Sequence, residues 1–84
     1  MRFQVRYTTR AAEQRDSLPP SGKRALTWLE SRLRVDPWRA GQEAKSENAW
    51  YADFGGFGDF GQAKYLIGEG GGIQVTILFI TWVG

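Results

Sequence analysis

The chain contains neither cysteine nor histidine in its 84 residues. Without cysteine it can form no disulfide framework, and without either residue it cannot build the Cys/His sites that usually hold zinc. Histidine is also the commonest general base of enzymes, so a histidine-assisted serine nucleophile is excluded. The absence of cysteine fits a cytoplasmic location, which we expect for this protein.

Long hydrophobic runs are also lacking. The longest apolar stretch, residues 73–82, is interrupted by Thr76 and Thr81, and a run of about ten residues is too short for a membrane-spanning helix. Met1 is followed by alternating Arg and apolar residues, which is unlike the apolar block of a signal peptide. We therefore expect no membrane partner.

No residue pattern predicts a metal or a cofactor. The nine carboxylates are scattered, without the spacing that a cation site needs. Residues 56–61 match G-x-G-x-x-G letter for letter. That motif binds a pyrophosphate only where a helix follows it, and the residues after it here favour a strand. We interpret the segment as a hairpin turn and expect no cofactor.

The composition is that of one small globular domain covering residues 1–84. Hydrophobic residues make up 42% of the chain and charged residues 24%, which is typical of folded proteins. Charge is unevenly distributed: residues 1–45 contain ten basic and five acidic residues, whereas residues 46–84 contain one and four. The basic half predicts an acidic partner or nucleic acid.

Hydrophobic periodicity predicts an α+β fold. Phe3, Val5 and Tyr7 alternate with polar residues as in a half-buried strand. Two helices follow, over about 10–17 and 21–35, and the second carries Leu26, Leu29 and Leu33 on one face. Residues 38–48 are predicted to form a long loop, and strands are predicted over 49–54, 63–67 and 73–82.

These elements predict a twisted, mostly antiparallel four-stranded sheet with two N-terminal helices on one face, in the order β-α-α-β-β-β. The last strand is apolar on both sides, so we expect it to be central and to pair with the first strand. We place Val75, Ile77 and Phe79 on one side of it. Its other side, with Leu78, Ile80 and Trp82, would bind a partner protein or a second copy of the chain.

The tryptophans divide into two groups. Trp28 and Trp50 are expected in the core. Trp38 follows a helix-ending proline, where it could be exposed and could stack on a base or anchor a partner.

Several stretches together resemble the RelE/ParE superfamily of bacterial type II toxins. They are the opening residues 3–7 followed by Ala11-Ala12, the helix break at residues 18–20, the helix closing on residues 35–37, then residues 64–67, a glycine turn, and the final residues 77–84. The resemblance covers nearly the whole chain. The resemblance consists of the hydrophobic pattern and of the prolines and glycines between the predicted elements.

The resemblance implies a toxin that is neutralised by an antitoxin protein. RelE-like members are ribosome-dependent endoribonucleases that cut mRNA, whereas ParE-like members poison DNA gyrase. On the RelE-like reading, Lys64 and Tyr65 are the candidate catalytic residues. Arg2, Arg6, Arg39 and Lys45 are the candidate RNA contacts, and Lys64 could also contact phosphate.

The usual RelE-like catalytic set is largely missing from this sequence. The second predicted strand offers Trp50, Ala52 and Asp53 where RelE-like members bear lysine or glutamate. An alternative hypothesis is therefore a non-catalytic protein-binding module that keeps the toxin fold without its chemistry.

Overall fold

The computed structural model describes residues 3–56, 58–68 and 74–83, and it shows an α+β fold. Strand β1 is Gln4–Tyr7, followed by helices α1 (Thr9–Asp16), α2 (Pro20–Val35) and α3 (Pro37–Ala40). Strands β2 (Gln42–Ala44), β3 (Ala49–Gly56), β4 (Asp59–Gly68) and β5 (Gln74–Val83) complete the chain, with one turn of 3-10 helix, Lys45–Glu47, between β2 and β3.

The strands form one mixed sheet in the order β1-β5-β4-β3-β2. Strand β1 pairs parallel with β5, and the other pairs are antiparallel. The predicted α+β class and the pairing of the first and last strands are confirmed. The last strand, β5, is an interior strand next to the edge strand β1, and the middle of the sheet is β4. The sheet has five strands, because the stretch predicted as a loop contains α3 and the short edge strand β2.

Local sequence explains where the helices begin. The hydroxyl of Thr8 accepts a hydrogen bond from the Ala11 amide and so caps α1. Pro19 and Pro20 separate α1 from α2, and Pro20 stands at the first turn of α2, where no amide donor is needed. Asp36 ends α2 before Pro37 and caps α3 through the Arg39 amide.

The core lies between the helices and one face of the sheet. Leu26, Leu29 and Leu33 are at most 2% exposed, which confirms the predicted apolar face of α2. They share one cluster with buried residues of the sheet, among them Ala63 and Tyr65 of β4. The other face, which the helices do not cover, is called the open face below; Arg6, Tyr51, Lys64 and Phe79 mark it.

The expectation that Trp28 is a core residue is wrong. Its side chain is 75% exposed. Consecutive helical residues are about 100° apart around the axis. Because Leu26, Leu29 and Leu33 face the sheet, Trp28 lies on the opposite side of α2 and faces solvent. Trp50 is partly buried, stacked near Tyr65, and Trp38 is 45% exposed.

The segment that matches G-x-G-x-x-G joins β3 to β4 in an antiparallel hairpin, in which Gly56 pairs with Asp59. The hairpin interpretation is confirmed. Gly58 has a φ of 88°, a conformation that glycine adopts without steric cost.

Candidate nucleic-acid interface

Three adjacent strands bring a lysine and two aromatic rings into one row on the open face. In the sheet register Tyr51 of β3 lies opposite Lys64 of β4, and Lys64 lies opposite Phe79 of β5. Directly paired residues project on the same side of a sheet. Buried Ala52 and Tyr65, next to them in the chain, project to the helices, so the row faces away from the core.

Lys64 and Tyr51 converge on Glu47. The Nζ of Lys64 lies 2.9 Å from Glu47 Oε1, and the Tyr51 hydroxyl donates to the same oxygen at 2.7 Å. The Lys64 Nζ also lies 5.7 Å from the centre of the Tyr51 ring. Glu47 is the last residue of the 3-10 turn that precedes β3. The turn ends at Asn48, which has the left-handed backbone conformation, with a φ of 56°.

These contacts reinforce the ionisation states that the three side chains ordinarily have near neutral pH. The pKa of Glu47 is lowered mainly by the hydrogen bond from Tyr51 and next by the hydrogen bond from Lys64. The bond to Glu47 raises the pKa of Lys64 and that of Tyr51. A carboxylate, an ammonium and a neutral phenol are therefore all favoured, and a general base should instead have a pKa near the working pH. The cluster is suited to binding and to charge stabilisation.

Two arginines extend the row at the β1 side. Arg6 is exposed and pairs in register with Thr76, between the inward-facing Val5 and Tyr7. The guanidinium of Arg10, from α1, lies 5.3 Å from the centre of the Phe79 ring, which is within the range of a cation–π contact. The open face thus presents cations beside aromatic rings, as single-stranded nucleic-acid sites do.

The prediction that Tyr65 shares a site with Lys64 is wrong. Tyr65 is 0% exposed, and its hydroxyl donates to the carbonyl of Pro37 at 2.7 Å. Consecutive residues of a strand project to opposite faces. Lys64 therefore lies on the open face and Tyr65 in the core, where burial raises its pKa to about 12.

The predicted partner surface of Leu78, Ile80 and Trp82 is also wrong. Lys64 pairs with Phe79 but Tyr65 pairs with Ile77, so Leu78 is an extra residue in a bulge. The bulge changes the alternation: Ile80, 4% exposed, joins Val75 and Ile77 in the core. Trp82 is partly buried and stacks on Phe54, with ring centres 5.6 Å apart.

The other predicted RNA contacts lie outside the row. Arg39 on α3 is highly exposed and lies 3.5 Å from Asp36, and it lines a polar cavity beside Tyr51 at the outer edge of β3. Lys45 is exposed on the 3-10 turn. Arg2 lies outside the described residues.

Sequence reasoning missed Glu47, Tyr51 and Phe79 as parts of one site. Tyr51 and Lys64 could have been linked by pairing the two predicted strands in register. Glu47 lay in the predicted loop, and no sequence signal placed it beside Lys64.

Within the described ranges, no group of three or more acidic side chains is arranged to hold a metal ion. The helices of those ranges also lack the length and hydropathy that crossing a bilayer would require. Comparison with known proteins gives no match: no family model, no curated protein and no solved structure is significantly similar to the chain.

Proposed function

We propose that this protein is a RelE/ParE-like toxin component that binds RNA through the open face of its sheet, inhibits translation and is neutralised by an antitoxin protein. The observation that carries the proposal is the row of Tyr51, Lys64 and Phe79 across three strands. The α+β fold with its helices on one face supports it, because this architecture leaves the row accessible.

In this proposal the open face holds a single RNA strand. Lys64, Arg6 and Arg10 neutralise phosphates, and each contact releases counterions from the RNA. The rings of Tyr51 and Phe79 offer faces on which bases stack without sequence preference. Lys64 acts as a cation whose ammonium is held in position by Glu47, 2.9 Å away.

Glu47 has a distinct role because it already neutralises Lys64. A phosphate must compete with that carboxylate or bind beside it. Glu47 therefore weakens the attraction for RNA while it holds the Lys64 ammonium in position over the sheet.

The direct test is binding of a fluorescent single-stranded RNA at several salt concentrations. For Lys64→Ala we expect weaker binding and a salt slope shallower by about 0.7, the value of one phosphate contact on a single strand. Tyr51→Ala should weaken binding roughly tenfold by removing a stacking surface. Lys23→Ala, which removes an exposed cation from α2, is the matched control. Binding without salt dependence, or equal losses for Lys64→Ala and Lys23→Ala, would refute the proposal.

The cellular test is induced expression in a bacterial host while protein and DNA synthesis are followed separately. Arrested translation that Lys64→Ala relieves is the expected result. Arrested DNA synthesis with intact translation would contradict RNA as the target and favour gyrase. Normal growth under full expression would contradict a toxin.

A non-catalytic protein-binding module is the second candidate function. It is favoured by exposed apolar side chains on the helical side, above all Trp28 and Val35 at 75% and 68% exposure. Growth without arrest, together with the absence of RNA binding, would favour this function over that of a toxin.

A further inference from the structure

A second row of polar side chains crosses the open face beside the row of Tyr51, Lys64 and Phe79. In the sheet register Asp53 of β3 lies opposite Gln62 of β4, and Gln62 lies opposite Thr81 of β5. The side-chain amide of Gln62 donates a hydrogen bond to Asp53 Oδ1 at 3.1 Å. Each of these residues is two positions along its strand from a member of the first row, so the two rows lie side by side, about 7 Å apart.

The β3 end of this second row borders a cavity of about 520 Å³. The cavity lies at the edge of the sheet, because β2 pairs with β3 only over residues 49–51 and leaves the rest of that edge without a strand partner among the described residues. Its lining brings together an aromatic ring, a carboxylate with its amide partner, and two guanidinium groups: Tyr51, Asp53, Gln62, Arg32 and Arg39.

Phosphate binding does not explain the presence of Asp53 at this place. Its carboxylate is exposed on the open face, where it would repel a phosphate. An ionised carboxylate accepts hydrogen bonds and has none to donate. A suitable ligand must therefore present N–H groups, and the bases of single-stranded RNA present them on their Watson–Crick edges.

We infer that the cavity selects guanine at one position of a single RNA strand bound along the open face. The inference rests on the proposed function and adds one base-specific position to it. Guanine presents O6, N1–H and the N2 amino group side by side. The two N–H groups would donate to the carboxylate oxygens of Asp53, and the amide hydrogen of Gln62 that does not bind Asp53 would donate to O6.

The other three bases do not match this arrangement. Adenine and cytosine each have a ring acceptor beside the amino group, and uracil has a carbonyl on either side of its N3–H. Each of these acceptors would lie against the Asp53 carboxylate, an unfavourable contact that rejects the wrong base. Stacking on Tyr51 is open to every base, so the discrimination would come from Asp53 and Gln62.

The two arginines of the cavity would contact the phosphates that flank the selected guanine. Guanidinium groups bind phosphate oxygens in bidentate geometry. Arg32 is held in place by a hydrogen bond to the Ala40 carbonyl at 3.0 Å, and the side chain of Arg39 is 91% exposed. Arg39 could thus contact RNA although it lies outside the first row. A free guanine nucleotide carries the same groups, and the experiment separates the two sources.

The experiment compares the affinities of five fluorescent RNAs, each eight nucleotides long, by anisotropy. They are uridine strands whose one central nucleotide is uridine, adenosine, cytidine, guanosine or inosine. We expect the guanosine strand to bind about tenfold more tightly than the uridine, adenosine and cytidine strands, as a good bidentate pair discriminates. Inosine lacks the N2 amino group, so its strand should bind more weakly than the guanosine strand. Free GMP should compete only at concentrations far above the Kd of that strand, because it cannot also reach the Lys64 row.

Variants of Asp53 link the preference to the cavity. Asp53→Ala should bind all five strands alike, and it should bind the uridine strand at least as tightly as wild type because a negative charge is removed. Asp53→Asn keeps the size of the side chain but replaces one acceptor by a donor, so it should lose the preference as well. Glu43→Ala removes an exposed carboxylate of β2 that does not line the cavity, and it should keep the wild-type preference. Urea unfolding verifies that each variant is folded.

Three outcomes would overturn the inference alone. They are equal affinities for the five strands, a guanosine preference that Asp53→Ala retains, and binding of free GMP as tight as that of the guanosine strand. In the first two cases RNA would still bind through Lys64, so the proposed function would stand. Failure of every strand to bind would refute the proposed function and this inference together, and that result differs from the other three.

Discussion

Glu47 and Lys64 form an ion pair of 2.9 Å between Oε1 and Nζ, and Glu47 lies on the 3-10 turn that precedes β3. Because this carboxylate offsets the Lys64 charge, we predict that Glu47→Gln strengthens RNA binding, the opposite of the effect of Lys64→Ala. The pKa of Lys64 should fall towards its ordinary value, because its largest upward influence is removed. Fluorescence anisotropy with single-stranded RNA measures the affinity change, which we expect to be several-fold at low salt.

Glu43→Gln is the matched control for that prediction. It removes the same charge from exposed Glu43 of β2, which pairs with Trp50 and so projects to the helical side. A general effect of net charge would raise RNA affinity equally in both variants. That result would contradict a local competition between Glu47 and phosphate.

Tyr65→Phe should destabilise the fold although it removes a single oxygen atom. The buried hydroxyl is the donor to the Pro37 carbonyl, and an unsatisfied buried acceptor costs about 1–3 kcal/mol. Urea unfolding measures the change. Tyr51→Phe is the control, because its hydroxyl is bonded at the exposed surface. Equal losses of unfolding free energy in the two variants would show that the buried hydrogen bond to Pro37 stabilises the fold no more than the exposed bond of Tyr51 does.

Alkaline pH should unfold the protein by ionising Tyr65, which is buried, and Tyr7, which is partly buried. Burial raises the folded-state pKa of Tyr65 to about 12 from an ordinary value of 10.0. The folded-state pKa of Tyr7 is also raised, mainly by burial and next by the hydrogen bond to Glu30. A raised folded-state pKa means that the stability is complete below pH 10 and is lost as pH rises from 10 towards 12, since the unfolded chain ionises first. Circular dichroism and tyrosinate absorbance should therefore change together over this window. Tyrosinate formation at Tyr65 near pH 10 in the folded protein would contradict the burial argument.

Gly61→Ala should destabilise the sheet, whereas Gly56→Ala should not. A Cβ at Gly61 would lie 2.5 to 2.8 Å from ring atoms of Phe54, its cross-strand partner, while one at Gly56 would meet nothing within 4 Å. Overpacking of this kind costs about 1–3 kcal/mol. Phe54 also stacks on Trp82, so its ring cannot move freely. Thermal unfolding of the two variants tests the difference, and equal melting temperatures would refute it.

The sequence predicted those parts of the fold that depend on repeated side-chain periodicity. Three leucines at helical spacing identified the buried face of α2, and alternation identified β1. The edge strand β2 escaped because Gln42, Glu43 and Ala44 carry no alternation of apolar and polar residues. Its existence depends on backbone pairing with β3, which local composition does not reveal.

The site was harder to predict because it depends on register. One extra residue, Leu78, reverses the side on which Ile80 and Trp82 lie. The strand pattern is apolar on both sides of this point, so no sequence signal marks the bulge. In the structure the Leu78 carbonyl accepts a hydrogen bond from the hydroxyl of Thr8, 2.8 Å away. That tertiary contact joins the bulge to the cap of α1 across 70 residues of sequence.

Trp28 and Leu29 should differ sharply in their contribution to stability, although they are neighbours and tryptophan is the larger. Trp28 is 75% exposed and Leu29 is 1% exposed. We predict that Trp28→Ser changes the free energy of unfolding by less than about 0.5 kcal/mol, as is usual for surface positions. Leu29→Ala should cost about 2–5 kcal/mol because it removes buried methyl groups and leaves a cavity. Urea denaturation gives both values. A large loss for Trp28→Ser would contradict the observed orientation of α2, in which Trp28 faces solvent.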